Sequence, residues 1–211
     1  MNLFEEAIAW IFSPDRLGDN SPLPELIAQH LYYTLVSVAI AAVIAIPVGY
    51  YIGHTGRGRN FAIGISGAAR AVPSFGLILL LVIVMGVTAK TEAAIIAFVL
   101  LAIPSILAGA YAGIESIDPV VIDAARASGM TEWQILWKVE IPLGSLLLLG
   151  GVRAAVLQVV ATVVLAAYIG LGSLGLPILQ GLALRRFDEM LGAALVIMAL
   201  AIALDLSLIH I

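Results

Sequence analysis

The 211-residue chain contains no cysteine. That excludes disulfides, thiol catalysis and cysteine-based metal sites. Charge is scarce as well: 11% of residues are charged, against roughly 25% in soluble domains. Ten Lys and Arg against fourteen Asp and Glu give a net charge of −4, with no basic stripe to neutralise phosphates, so nucleic acid is excluded as a partner. No G-x-x-x-x-G-K-[ST] occurs. The segment GHTGRGR has glycines but lacks Gly-Lys-Ser/Thr and precedes an apolar run, so a phosphate cradle is excluded there. No H-E-x-x-H occurs either; His30, His54 and His210 are far apart in sequence and read as structural or interfacial. No set of nucleophile and base, or of metal ligands, lies within the apolar segments to suggest an intramembrane enzyme.

Hydrophobic residues are abundant, at 62% of the chain with mean hydropathy +1.11. They come in runs of about twenty, the length a helix needs to cross roughly 30 Å of hydrocarbon, and not in the alternation of a barrel strand. The expected fold class is an all-α integral membrane protein with about five spans: 31–52, 61–87, 92–111, 144–169 and 190 to the end. Pro73 and Pro104 are expected to break the second and third. Tyr32, Tyr33, Tyr50 and Tyr51 bracket the first span as interfacial anchors. Residues 1–12 do not read as a secretory signal, having Glu5 and Glu6 and no basic start.

Arg57 and Arg59 place the loop after the first span inside by the positive-inside rule. Residues 1–30 then form an extracytoplasmic segment, 31–211 a transmembrane domain, and 118–142 a cytoplasmic stretch. Arg185 and Arg186 fall outside, against the rule.

The stretch DAARASGMTEWQILWKVEIP, residues 123–142, is polar between apolar runs. Asp118-Pro119 is a helix start, with an N-cap followed by proline where its missing N–H costs nothing. Gly129 is placed to end that helix in the left-handed conformation. Thr131 and Gln134 form a capping box for a second helix, which Pro142 is expected to end or redirect. Trp133, Leu136 and Trp137 share a face of it. Periodicity alone leaves two readings open: an amphipathic helix lying among lipid headgroups, or an elbow that docks on a partner.

The spacing Asp123-Ala124-Ala125, three residues, Gly129, nine residues, Val139, one residue, Ile141-Pro142 resembles the E-A-A-x3-G-x9-I-x-L-P motif. That motif marks permease subunits of binding-protein-dependent ABC importers. Asp, Val and Ile replace Glu, Ile and Leu here. The resemblance implies the type I importer permease arrangement, shared with methionine permeases, and an elbow seated in a cleft of an ATP-binding subunit. ATP is then bound by that subunit, and no cofactor is expected in this chain. A second permease subunit and an extracytoplasmic solute-binding protein are the other implied partners, besides the bilayer.

GYYIGHTGRGR, ARAVPSFGLILL, LLAIPSILAGAYAGIESIDP and GVRAAVLQVVATVVLAAYIGLGSLG resemble the osmoprotectant branch, which carries glycine betaine, carnitine or choline. A permease for an amino acid such as methionine is the alternative within the family. A stand-alone secondary carrier is the alternative outside it, and it would bury coupling-ion carboxylates near the midplane. Cation recognition by aromatic faces is expected in the binding protein; Tyr33, Phe75 and Tyr168 do not read as a cage here.

Arg70, Arg153 and Asp205 lie within apolar segments, where charge needs a partner or water. Asp205 is expected to pair with one of the arginines. Gln158 and Thr162, four residues apart, are candidates for lining a path or for joining helices. The segment 170–175, GLGSLG, is expected to form a flexible outer turn.

Overall fold

In hydrocarbon every backbone N–H and C=O must find an internal partner, which an apolar chain without barrel alternation achieves only as helix. The computed structural model describes residues 2–14, 22–60, 62, 64, 67 and 71–209, and among them all regular structure is helical. The α-helices are α1 (Leu3–Ile11), α2 (Leu23–Thr55), α3 (Ser74–Met85), α4 (Lys90–Glu115), α5 (Pro119–Ala127), α6 (Glu132–Ile135), α7 (Ile141–Val163), α8 (Gly175–Leu184) and α9 (Phe187–Ile209). A π-turn, Leu136–Glu140, joins α6 to α7, and a 3₁₀ segment, Val164–Ile169, follows α7. Among the described residues, Leu23–Thr55, Val87–Glu115, Glu132–Ile169 and Phe187–Leu208 are long and apolar enough to span a membrane.

Two features differ from expectation. α2 starts at Leu23 instead of residue 31, so the 30/31 boundary falls inside it. Its 33 residues extend about 50 Å, well beyond the hydrocarbon thickness. The added turns mix apolar and polar residues: Leu23 and Leu26 are buried, and Gln29 donates to Glu25 Oε1 at 3.1 Å, one turn away. Pro104 does not break α4, which continues through it to Glu115, and Pro47 lies likewise inside α2. One lost donor does not end a helix whose other bonds persist. Pro73 does interrupt its segment: α3 begins at the next residue, Ser74. The residues before it that belong to the expected second span lie largely outside the described ones.

The chain divides into two compact units, 1–37 with 74–98 and 156–211, and 38–73 with 99–155. In the first, α1 packs on α9. Trp10 and Ala7 are buried there, and a Cβ on Gly192 would stand 2.5 Å from the Trp10 ring. Trp10, Leu23, Leu26, Leu174 and Ala193 form a core cluster. His30 is buried, with Nε2 3.0 Å from the Val160 carbonyl. The segment expected as a flexible turn, 170–175, is instead packed and bonded. Leu171, Ser173, Leu174 and Gly175 are buried, Lys90 Nζ donates to the Gly170 carbonyl at 2.8 Å, and the Ser173 amide donates to Gln29 Oε1 at 3.1 Å. α8 follows directly, a helix absent from the expected spans.

In the second unit glycines bring backbones together. Gly49 and Gly53 of α2 face Ala110 and Ile114 of α4. On α4, Gly109 and Gly113 meet Gly151 and Gly144 of α7. A Cβ on Gly109 would fall 2.7 Å from the Leu147 carbonyl oxygen, so α4 and α7 touch main chain to main chain. Small residues four apart commonly produce such membrane crossings.

Candidate functional site

The elbow at 118–142 is built by local chemistry. The Asp118 carboxylate accepts from the Val120 amide at 2.9 Å, and Pro119 occupies the first helical position. α5 ends at Ala127, and Gly129 just beyond its cap has a φ of +83°, where L-residues are strained. The Gly129 amide donates to Arg126 and the Met130 amide to Ala125, at 2.9 and 3.2 Å, closing the carbonyl end of α5. The Thr131 hydroxyl accepts from the Gln134 amide, while the Gln134 side chain accepts from the Thr131 amide at 2.9 Å. This reciprocal cap starts α6. Thr131→Ala is expected to cost about 1 kcal/mol of local stability, read as faster hydrogen exchange at the Gln134 amide; exchange as slow as in the parent would contradict the cap's role.

Arg126 bridges the two arms across Gly129. Its Nε and Nη2 donate to the two Glu132 oxygens at 2.8 and 3.1 Å, and Nη1 lies 3.5 Å from Asp123 Oδ1. Hydrogen bonding to Glu132 raises the Arg126 pKa from its ordinary value, so the bridge keeps its cation. Asp123 and Ala124 are exposed, Ala125 is partly covered, and Gly129 is open. Trp133 and Trp137 stack edge to face at 5.6 Å and are 68% and 55% exposed, while Leu136 between them is half-buried. On the opposite side of this short segment Ile135 and Glu140 are buried.

Pro142 neither ends nor redirects the second arm. The π-turn passes through Val139 and Glu140 directly into α7, whose first residues are Ile141 and Pro142. Proline is tolerated there because the π-turn immediately before it already departs from the regular α-helical hydrogen-bond ladder. The elbow's second arm is therefore continuous with a membrane-spanning helix.

Arg70 lies outside the described residues. Arg153, in α7, belongs to the second unit and Asp205, in α9, to the first; each is half-buried. Thr162 is buried and its hydroxyl donates to the Gln158 carbonyl of its own helix at 2.7 Å. Phe75 and Tyr168 meet edge to face at 5.2 Å, a pair that a separation of 93 positions hid from sequence reading.

Sequence reasoning also missed His54. Its Nδ1 lies 2.6 Å from Glu140 Oε2 and its Nε2 3.7 Å from Glu132 Oε2. The residues are 86 apart in the chain, and no spacing rule joins them.

Helices long and apolar enough to span a membrane, with a capped, exposed elbow running into one of them, place the chain in the class of multi-pass helical membrane proteins. The family model for binding-protein-dependent transport system inner membrane components matches residues 45–210, and the chain belongs to that family, as a multi-pass ABC importer permease. Among relatives, it is 34% identical to the carnitine transport permease protein OpuCB of Listeria monocytogenes, over 85% of this chain and 82% of that protein. It is 34% identical to the osmoprotectant import permease protein OsmW of Salmonella typhimurium, over 87% and 86%. The glycine betaine/carnitine/choline permease protein OpuCB of Bacillus subtilis is 29% identical over 84% and 81%. In fold it is similar to an inward-facing structure of the MetNI methionine ABC transporter, with a TM-score of 0.77 and 22% identity, covering 89% of this chain and 93% of that one.

Proposed function

We propose that the chain forms the translocation path of an importer for a quaternary ammonium osmoprotectant such as glycine betaine, carnitine or choline. The elbow carries the mechanistic part of this reading. Asp123, Ala124, Ala125, Gly129 and Trp133 present an exposed, rigidly capped surface, and Val139, Ile141 and Pro142 connect it without a break to α7. An ATP-binding subunit seated on that surface transmits its closure along α7, shifting the balance between outward-open and inward-open states. The elbow then lies in the cytoplasm and the N-terminus outside, in a prokaryotic plasma membrane.

The names of the relatives support the substrate class. The chain pairs with a second permease subunit, receives solute from a binding protein, and leaves ATP chemistry to its partner, so it performs no catalysis itself. Arg70, Arg153 and Asp205 are proposed to stabilise the inner half of the bundle, and Gln158 and Thr162 to line the path or join helices.

Proteoliposomes containing the permease and its ATP-binding subunit are expected to import labelled glycine betaine, carnitine or choline only with ATP and the binding protein present. Uptake by this chain alone, driven by an ion gradient, would refute the reading in favour of a secondary carrier. Competition by methionine but not by quaternary ammonium solutes would overturn the substrate class.

A further inference from the structure

The end of α2 and the turn after it hold both flanks of the elbow. Glu115, the last residue of α4, pairs with Arg59 at 2.8 Å just before the elbow begins. Glu140, the last residue of the π-turn, pairs with His54 at 2.6 Å just before it closes. Gly56 and Gly58, with φ of +67° and +84°, give the chain the reversal that lets a six-residue stretch reach both.

The two pairs differ in environment. Arg59 and Glu115 are 56% and 40% exposed, where an ion pair contributes little. His54 and Glu140 are 16% and 7% exposed, and a carboxylate so enclosed depends strongly on its partner. The His54 ring also approaches Glu132, which holds Arg126, which reaches Asp123. Polar contacts thus run from the exposed face of the elbow to the end of α2. They bypass the π-turn, a geometry that recurs at functional sites and lies here between the elbow's tryptophans and α7.

We propose that His54 and Glu140 are positioning residues for transport: a buried clip that makes the end of α2 follow the elbow, so that its movement enters the membrane through α2 as well as α7. The clip rests on the reading of the elbow as the seat of an ATP-binding subunit.

The test uses the complete reconstituted transporter, assayed per mole of assembled complex for ATP hydrolysed and labelled glycine betaine imported. Losing one partner of a buried pair is costly enough that His54→Ala is expected to lower solute imported per ATP by about tenfold or more. KM for the solute is expected to stay near the parent value. His54→Asn places an amide N–H where Nδ1 stood and is expected to restore the ratio to within about twofold, as is Arg59→Ala at its exposed pair. A parent-like ratio in His54→Ala overturns the clip, as does a loss in His54→Asn equal to that in His54→Ala. If His54→Ala does not assemble, Glu140→Met, which keeps much of the volume and removes the acceptor that His54 Nδ1 meets, carries the same expectation and the same refutation. Ala125→Arg separates the two levels. If it abolishes coupling while His54→Ala behaves as the parent, the clip alone falls; if it leaves coupling intact, the docking reading beneath it falls.

Discussion

Gly129→Val is expected to reduce ATP-driven uptake by at least about tenfold at normal amounts of membrane-inserted protein, because it imposes a conformation that the elbow cannot use. A left-handed backbone costs an ordinary L-residue roughly 1–2 kcal/mol, and a β-branched residue more. At φ of +83° the cost is met either by strain or by unwinding the turn. Unwinding releases the Gly129 and Met130 amides from the end of α5 and pulls Arg126 away from Glu132, so the two arms lose their fixed angle. No atom lies within 4 Å of a Cβ placed on Gly129, so the effect is one of backbone conformation rather than crowding. Gly129→Asn, which tolerates the left-handed region, is therefore expected to retain much more uptake than valine. Equal uptake by the valine and asparagine variants would remove the conformational argument. Comparing solute imported per ATP in the two variants checks it directly.

The largest effect on stability is expected at the crossing of α4 and α7. A Cβ on Gly113 would come within 3.1 Å of the Gly144 carbonyl carbon and closer still to its oxygen, and both are main-chain atoms that no rotamer change can move. Gly113→Ala must push two helices apart along a contact shared with Gly109 and Gly151. Overpacking of this kind costs about 1–3 kcal/mol, enough to lower the midpoint of thermal unfolding in detergent by several degrees. Gly150→Ala is the matched control, since it also lies in α7 but meets no atom within 4 Å. Alanine's helix propensity should leave that variant as stable as the parent or up to about 1 kcal/mol more stable. Coincident melting of the two variants would show that the close crossing does not govern stability.

What was legible in the sequence is what local chemistry decides. Asp118-Pro119, Gly129 and the Thr131/Gln134 pair each act within four residues of themselves, and each appears with the anticipated hydrogen bonds or backbone angle. Apolar runs located the long helices for the same reason, although α2 extends eight residues further because Leu23 to His30 is helix-compatible without being strongly apolar. Proline was the misleading signal. Pro104 and Pro142 read as breaks from their own chemistry, yet the helix accommodates one missing donor in each case, within a regular ladder in the first and beside a π-turn in the second.

The remaining features depend on partners distant in the chain. His54 looked solitary because Glu140 lies 86 residues away, and GLGSLG looked loose because Gln29, Lys90 and Val163 hold it from other segments. The glycines of α2, α4 and α7 were visible individually. Their pairing required knowing which helices cross.

The Gly113–Gly144 contact also constrains how this chain can drift through sequence space. An ordinary core tolerates an enlarged side chain when its neighbour shrinks, and families wander by such paired exchanges. Where both residues are already glycine, no smaller neighbour exists to make room. That crossing has no compensated route away from its present pair, and among the elements of the second unit it should be one of the slowest to change.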